Sequence, residues 1–368
     1  MALTNPDQAA NRWDESEWRT GVPVDYWSYH PLIDAYINAT IIPHKRNMLE
    51  WLVETYLNGV PCQRAISVCC GMGGGDHQAL AAGVCHYIEG FDISPQSIAA
   101  AEELAKVGDY VDKVSYAVGD MNSIVLEQNR YDIGLAFGAF HHIENLEHAC
   151  QQLQRALKPG SLLLVNEYIG PARMQWTEQQ LNMFNRVLDI FPRQWRRTDK
   201  ITPYSIEAML QIDPSEAVRS DEVIATLSDY FEVVDYCDYG GGLLMPLWSM
   251  GLLPQIFVND PNVDKQVIIK LLILIDELLA EHQIAPSNYA QLVLRNHPSS
   301  AKQFVAPRRS IDSTDRKSWV NAWLPNTQFV PPPTPWWLLP ARAWRVLSQR
   351  GFYALRSEVI QYWRWSRS

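Results

Sequence analysis

The stretch AISVCCGMGGGDHQALAAGVCHYIEGFDI, residues 65–93, decides the fold. It begins as a short apolar run, AISVCC, and enters a turn carrying Gly71, Gly73, Gly74 and Gly75. It resumes as the helix-like HQALAAGV and ends in a second apolar run, HYIEGFDI. Strand, glycine turn, helix, strand is the opening unit of a dinucleotide-type sheet, in which glycines let the backbone turn sharply and approach a ligand closely. Asp92 closes the second run, 21 residues after Gly71. A carboxylate there can accept both hydroxyls of an adenosine ribose.

The same alternation continues outward. SPQSIAAAEELAKV (94–107) reads as a helix with Ser94 as N-cap and Pro95 at its first position. KVSYAVGD (113–120) is a third strand, RYDIGLAFGA (130–139) a fourth, NLEHACQQLQRAL (145–157) a helix, KPG (158–160) a turn and SLLLVNEY (161–168) a fifth strand. Continuous apolar strands alternating with helices predict a parallel sheet covered on both faces. Upstream, NMLEWLVETYL (47–57) spaces Met48, Trp51, Leu52 and Tyr56 like one helix face. Downstream, FEVVDYCDY (231–239) and YAQLVLRN (289–296) read as two more strands, with a helix over 263–282 between them. Its segment VIIKLLILIDELLA (267–280) is too short to span a bilayer and reads as a buried core helix.

The chain therefore divides into a helical N-terminal cap (1–60), a Rossmann-like core (61–170), an insertion (171–228), a completion of the sheet (229–297) and a C-terminal extension (298–368). More than sixty residues separate the fifth and sixth strands, which reads as a substrate lid. The extension combines a Pro-rich linker, NTQFVPPPTPWW (326–337), with a basic, aromatic end carrying Arg342, Arg345, Arg350, Arg356, Arg364 and Arg367 against Glu358. This end reads as a docked amphipathic helix or a solvated extension; Trp bodies and Arg heads also suit a lipid headgroup layer, so peripheral membrane contact stands as the alternative.

Of the 368 residues, 47% are apolar and 20% charged, enough for a sizeable core. A formal net charge of -10 argues against nucleic acid as a partner, since phosphate backbones recruit Lys and Arg in excess. Six cysteines show neither paired metal-ligand spacing nor a disulfide pattern, which fits free thiols in a reducing cytoplasm. The opening residues show no cationic patch followed by an apolar run, so a cytoplasmic protein is expected. The nine histidines are scattered, and His141 and His142 are adjacent and so point differently; no metal site is expected.

The third strand ends in Gly119-Asp120-Met121, and the fourth leads through AFGAFHHIENLEHA into LQRALKPGSLLLVNEY. Together, from residue 65 to 168, these motifs resemble the class I S-adenosylmethionine-dependent methyltransferases: glycine turn, ribose acid, adenine acid, and a Leu-Lys-Pro-Gly turn before strand five. The resemblance implies a Rossmann-like seven-stranded methyltransferase sheet, with the cap, lid and extension added, and S-adenosylmethionine as cofactor. It implies that Cys70, Gly71 and Gly73 line the methionine portion, that Asp92 and Ile93 hold the ribose, that Asp120 and Met121 frame the adenine, and that Phe137 and Gly138 sit beside the sulfonium. The chain departs from the family at Ser67, where many members carry an acid, and at Cys69, where many carry glycine. A narrower resemblance, through NEYIGPARMQWTEQQL, DPSEAVRS, DYGGGLL and YINATI, is to bacterial methyltransferases of surface-polysaccharide and natural-product gene clusters.

Strand C-terminal ends face the ligand crevice in open α/β sheets. His142 is therefore the expected base for a substrate hydroxyl or ammonium, with Glu167 next and His141 beside them. Tyr168, Arg173, Gln175, Tyr26 and His30 are expected to contact the acceptor, Arg173 through a carboxylate or phosphate. The acceptor is expected to be a small molecule, glycan or peptide, methylated on oxygen or nitrogen, with a sugar hydroxyl preferred. A peptide or lipid-linked acceptor, an NAD-dependent dehydrogenase and a non-catalytic binding module of the same fold remain as rivals.

Overall fold

The computed structural model describes residues 6–14, 26–42, 47–258, 260 and 262–297. Three helices precede the sheet: α1 (Pro6–Asp14), α2 (Pro31–Ile41) and α3 (Met48–Tyr56). The core then alternates β1 (Cys62–Val68), α4 (Gly74–Ala81), β2 (Cys85–Asp92), α5 (Pro95–Val107), β3 (Val114–Val118), β4 (Tyr131–Phe137), α6 (Leu146–Ala156) and β5 (Leu157–Tyr168). After it come α7 (Glu178–Leu188), α8 (Ile206–Ile212), α9 (Val223–Tyr230), β6 (Glu232–Asp238), the short α10 (Leu244–Pro246), α11 (Val263–Glu281) and β7 (Tyr289–Arg295). The C-terminal extension, with the membrane contact that stands as its alternative reading, lies outside the described residues. Among those described, no helix is long and apolar enough to cross a membrane.

The seven strands form one sheet in the order β3-β2-β1-β4-β5-β7-β6. β1 to β5 are parallel, as expected, but β7 enters between β5 and β6 and runs antiparallel to both. The sheet is mixed, not parallel throughout. The sequence pattern does not carry this direction, because a strand buried on both faces reads as the same apolar run either way. The expected KPG turn is absorbed into the start of β5, whose register against β4 shifts between Tyr131 and Ile133.

Alternate residues of the strands feed two cores. Ile133 and Leu135 of β4 and Leu162 and Leu164 of β5 pack on one side with Ile33, Leu52, Trp248 and Ile273. Ala136, Leu163 and Val165 pack on the other with Leu146, Leu153, Val223 and Leu227. The period-two pleat of central strands puts one layer of helices on each face. α9 thus belongs to the covering layer, although the sequence reading placed its first residues in the insertion.

α11 is not buried all round. Ile269, Leu272, Ile273 and Asp276 face inward, whereas Val263, Val267, Leu271 and Leu278 form an exposed stripe, 40–53% accessible. Asp276 is buried and accepts the backbone N–H groups of Gly241 (2.8 Å), Leu243 (2.7 Å) and Leu244 (2.9 Å), which pins the glycine-rich segment after β6 onto the helix.

His30, expected at the acceptor, has a structural place instead. It is buried, is the N-cap of α2, accepts the Leu32 N–H on Nδ1 at 3.2 Å, and meets Trp248 edge-on at 5.6 Å. Burial, only partly offset by the Phe257 backbone, holds its pKa down to about 4. Between about 6.5 and about 4 the unfolded chain therefore binds a proton that the folded chain does not, so this stability is complete above the window and lost as pH falls through it. Urea denaturation at about pH 7 and about pH 5 is expected to show the wild type losing about 2 kcal/mol more than His30→Asn over that interval. Equal losses in the two proteins would contradict this place for His30.

Candidate active site

The glycine turn is shaped by backbone that side chains tolerate poorly. Cys69 (φ 49°), Gly71 (φ 54°) and Gly73 (φ 73°) are all left-handed. The glycine of many family members thus corresponds here to a strained cysteine. At Gly73 a Cβ would press into the Tyr116 ring, 2.9 Å from Cζ and closer to the hydroxyl, so glycine is required by contact as well as by φ. At Gly71 a Cβ would meet nothing within 4 Å. The turn is closed beneath and open above.

Asp92 fastens this turn. Its Oδ2 accepts the Gly71 N–H and its Oδ1 the Ser94 N–H, both at 2.9 Å. Burial pushes the carboxyl up, while those two amides favour its charged form. Ser94 Oγ caps α5 through the Ser97 N–H (2.9 Å) and donates to Asp14 of α1 (2.5 Å). Asp120, just past β3, uses Oδ1 to accept both the N–H and the side-chain amide of Asn122, whose own oxygen accepts the N–H groups of Glu144 and Asn145. Met121 is buried beside it, and Ile93 is half-buried after Asp92. Phe137 ends β4 against Gly75 of α4, and Gly138 turns away left-handed (φ 62°) after donating to the Asn166 carbonyl at 2.8 Å. Cys70 packs by Gly90 and Tyr116, its thiol pushed well up by burial and the neighbouring carboxylates. The sequence-predicted cofactor residues therefore surround the C-terminal ends of β1, β2, β3 and β4.

A second group sits where β4 and β5 end. Glu167 has no exposed side-chain surface; it accepts the N–H groups of Ala139 (2.8 Å) and Phe140 (2.6 Å) on Oε2 and that of Tyr168 (2.7 Å) on Oε1, which also pairs with His141 Nδ1. A carboxylate so engaged orients an imidazole. His141 Nε2 lies 4.0 Å from Glu216 Oε1. Burial opposes a charge on His141, but the carboxylates of Glu167 and Glu216 outweigh it and hold its pKa up to about 9. His142, whose Nδ1 is 3.2 Å from Ser215 Oγ, is pushed well below the ordinary range by burial and by the charges of His141 and Arg173.

Glu216 is the residue that sequence reasoning missed. It lies in the quoted DPSEAVRS, but nothing in a single sequence says that this acid folds back onto a histidine 75 positions earlier. A strap over 213–218 delivers it: the Val218 N–H donates to the His141 carbonyl (3.0 Å), the Arg173 N–H to the Ala217 carbonyl (2.6 Å), and the Arg173 guanidinium to the carbonyls of Pro214 (2.7 Å) and Glu216 (3.0 Å). Arg173 and Ala217 are both left-handed (φ 54° and 49°). Arg173 thus anchors the strap, with its expected anion-binding donors turned to backbone. Gln175 likewise holds the carbonyls of Arg173 and Tyr204. Tyr168 sets its ring edge-on to His141 at 5.9 Å, and Tyr26 bonds Tyr289 with its hydroxyl pushed up to about 12 by burial.

Residues 68–165 match the family model described as a methyltransferase domain. This segment is thus similar to methyltransferase domains. Such a domain takes S-adenosylmethionine as its cofactor. The chain is 26% identical over 104 residues to norajmaline N-methyltransferase of Rauvolfia serpentina, covering 28% of this chain and 35% of that protein. It is 24% identical over 196 residues to a probable chloroplastic tocopherol O-methyltransferase of Oryza sativa subsp. japonica, covering 50% and 53%. A solved geranyl diphosphate C-methyltransferase from Streptomyces coelicolor A3(2) shares 12% identity and a TM-score of 0.47, covering 79% of this chain and 97% of that one. The chain thus spans about a third and about half of those two curated relatives.

The crevice fits the cofactor. The open side of Gly71 leaves room for the amino-acid end, and each Asp92 oxygen, having accepted one amide, keeps a lone pair for a ribose hydroxyl. Gly71→Ala adds only a left-handed residue in free space, at a cost of about 1–2 kcal/mol. Gly73→Ala adds the same strain plus the Tyr116 clash and is expected to lose at least about 1 kcal/mol more in urea denaturation. Equal losses would contradict the packing of Tyr116 beneath the turn.

Proposed function

We propose that this protein transfers the methyl group of S-adenosylmethionine to an oxygen or nitrogen of a small-molecule or glycan acceptor. The observation that carries the reading is the Asp92 carboxylate, closed onto the Gly71 turn below an open face. The acceptor would enter beyond Gly138, between the 140–142 turn and the strap over 213–218, with Tyr26 and Tyr168 on its walls. The sulfonium is already a good leaving group, so the protein's part is to align the acceptor in line with it and to remove a proton where the acceptor has one to lose. His142 and Glu216 are the polar side chains that meet there, and Glu167 keeps His141 oriented.

The relatives' names point to nitrogen, oxygen and carbon acceptors in turn, so they favour no single one. The DPSEAVRS and DYGGGLL segments support a bacterial biosynthetic setting, and with it a sugar hydroxyl. In this chain DPSEAVRS supplies the strap beside His141 and DYGGGLL the segment pinned by Asp276.

Calorimetry separates this reading from a dehydrogenase. S-adenosylhomocysteine is expected to bind and NAD not, and Asp92→Ala is expected to weaken S-adenosylhomocysteine at least about tenfold, the equivalent of one charged hydrogen bond. NAD binding without S-adenosylhomocysteine binding would overturn it.

A further inference from the structure

We propose that His141, His142 and Glu216 bind a divalent first-row transition-metal ion at the acceptor end of the crevice. Its binding stands on the geometry alone; only its chemical role rests on the methyl-transfer reading. Each of the three residues offers one donor atom, and these atoms lie within 4.8 Å of one another. An ion with bonds of about 2.0–2.2 Å needs donors about 3–4 Å apart, so small side-chain rotations close the set. His141 Nε2 and Glu216 Oε1, at 4.0 Å, already stand at that separation.

The expectation that adjacent histidines diverge fails here for a local reason. The chain turns as a single 3-10 turn over Phe140–His142, and the two ring centroids lie 4.0 Å apart with a 41° tilt. Both are also supported on the far nitrogen. Glu167, itself held by three amides, takes His141 Nδ1, and Ser215, which donates to Asp213 at 2.6 Å, stands by His142 Nδ1. A carboxylate or hydroxyl behind each imidazole is how metal-binding histidines are oriented. The third donor is delivered by the strained strap, two left-handed residues and four hydrogen bonds committed to placing one carboxylate.

Charge favours a cation as well. The carboxylates of Glu167, Asp213 and Glu216 act on this site against the guanidinium of Arg173 and the imidazolium of His141, whose Nε2 proton a bound ion displaces. Two imidazoles and a carboxylate suit ions such as zinc or iron(II) rather than the all-oxygen preference of magnesium or calcium. Three protein ligands leave positions open for an acceptor oxygen. A hydroxyl bound there loses its proton to solvent more readily. Its oxygen then forms the new C–O bond as the methyl–sulfur bond breaks, the electron pair passing to sulfur to leave S-adenosylhomocysteine. The site therefore favours an oxygen acceptor over nitrogen.

The test strips the full-length chain with chelator, titrates it with Co2+ by visible absorption and Zn2+ by calorimetry, and measures S-adenosylhomocysteine binding in parallel. One ion per chain is expected, without a thiolate charge-transfer band. Glu216→Gln and His142→Asn are expected to bind it at least about tenfold more weakly while keeping S-adenosylhomocysteine affinity. No uptake, a thiolate band, or unchanged metal affinity in both variants would overturn the proposal. Should a variant lose S-adenosylhomocysteine as well, X-ray absorption of the wild-type zinc complex decides: a nitrogen and oxygen shell supports the site and a sulfur shell overturns it. Metal uptake by a wild type that fails to bind S-adenosylhomocysteine would sink the proposed function and leave this inference standing.

Discussion

The structure turns on one buried carboxylate that serves two masters. Asp92 accepts an amide from the glycine turn with one oxygen and an amide from the start of α5 with the other. A hydrogen bond to a charged acceptor contributes about 1.5–3 kcal/mol, and breaking one of a buried set leaves a charge or an amide without a partner. The turn therefore stays in its left-handed shape, with its open side outward, because Asp92 is in place to accept its amide. The same oxygens are the ones a ribose would meet. Holding the turn and presenting the acid are a single arrangement, which preorganises the crevice before any ligand arrives.

The acceptor side is built on the opposite plan. The cofactor crevice follows from strand ends and local turns, whereas the acceptor end is assembled from distant parts of the chain. The β4 turn supplies the histidines, β5 supplies the acid that orients one of them, and the insertion returns a strap bearing Glu216. Arg173 is central to this, since its guanidinium and backbone N–H together hold three carbonyls of the strap. Strained backbone at Arg173 and Ala217 persists only because these contacts over-determine it. The residues around Asp92 are thus placed by the sheet, and those around Glu216 by the insertion.

That division explains what could be read from the sequence. Strand, turn and helix succession was legible because continuous apolar runs and glycines are local signals, and Asp92 followed from its spacing to Gly71. The direction of β7 was not, since burial on both faces erases it. α11 was read as wholly buried because a run of apolar residues hides the difference between an inner face and the exposed stripe of Val263, Val267 and Leu271. His30 looked like a ligand, but a histidine before Pro31 serves equally as a helix cap, which is its place. The backbone carbonyls that Arg173 and Gln175 hold leave no mark in sequence. Glu216 was invisible for the converse reason: its partner is nearby only after folding.

Asp92 is proposed to grip the cofactor's ribose above the Gly71 turn. A crystal structure of the chain with S-adenosylhomocysteine tests it most directly. Both ribose hydroxyls are expected within hydrogen-bonding distance of the Asp92 carboxylate, with the amino-acid end lying over the open side of Gly71. A ligand seated elsewhere, or a ribose held by another side chain with Asp92 facing only its two amides, would contradict it.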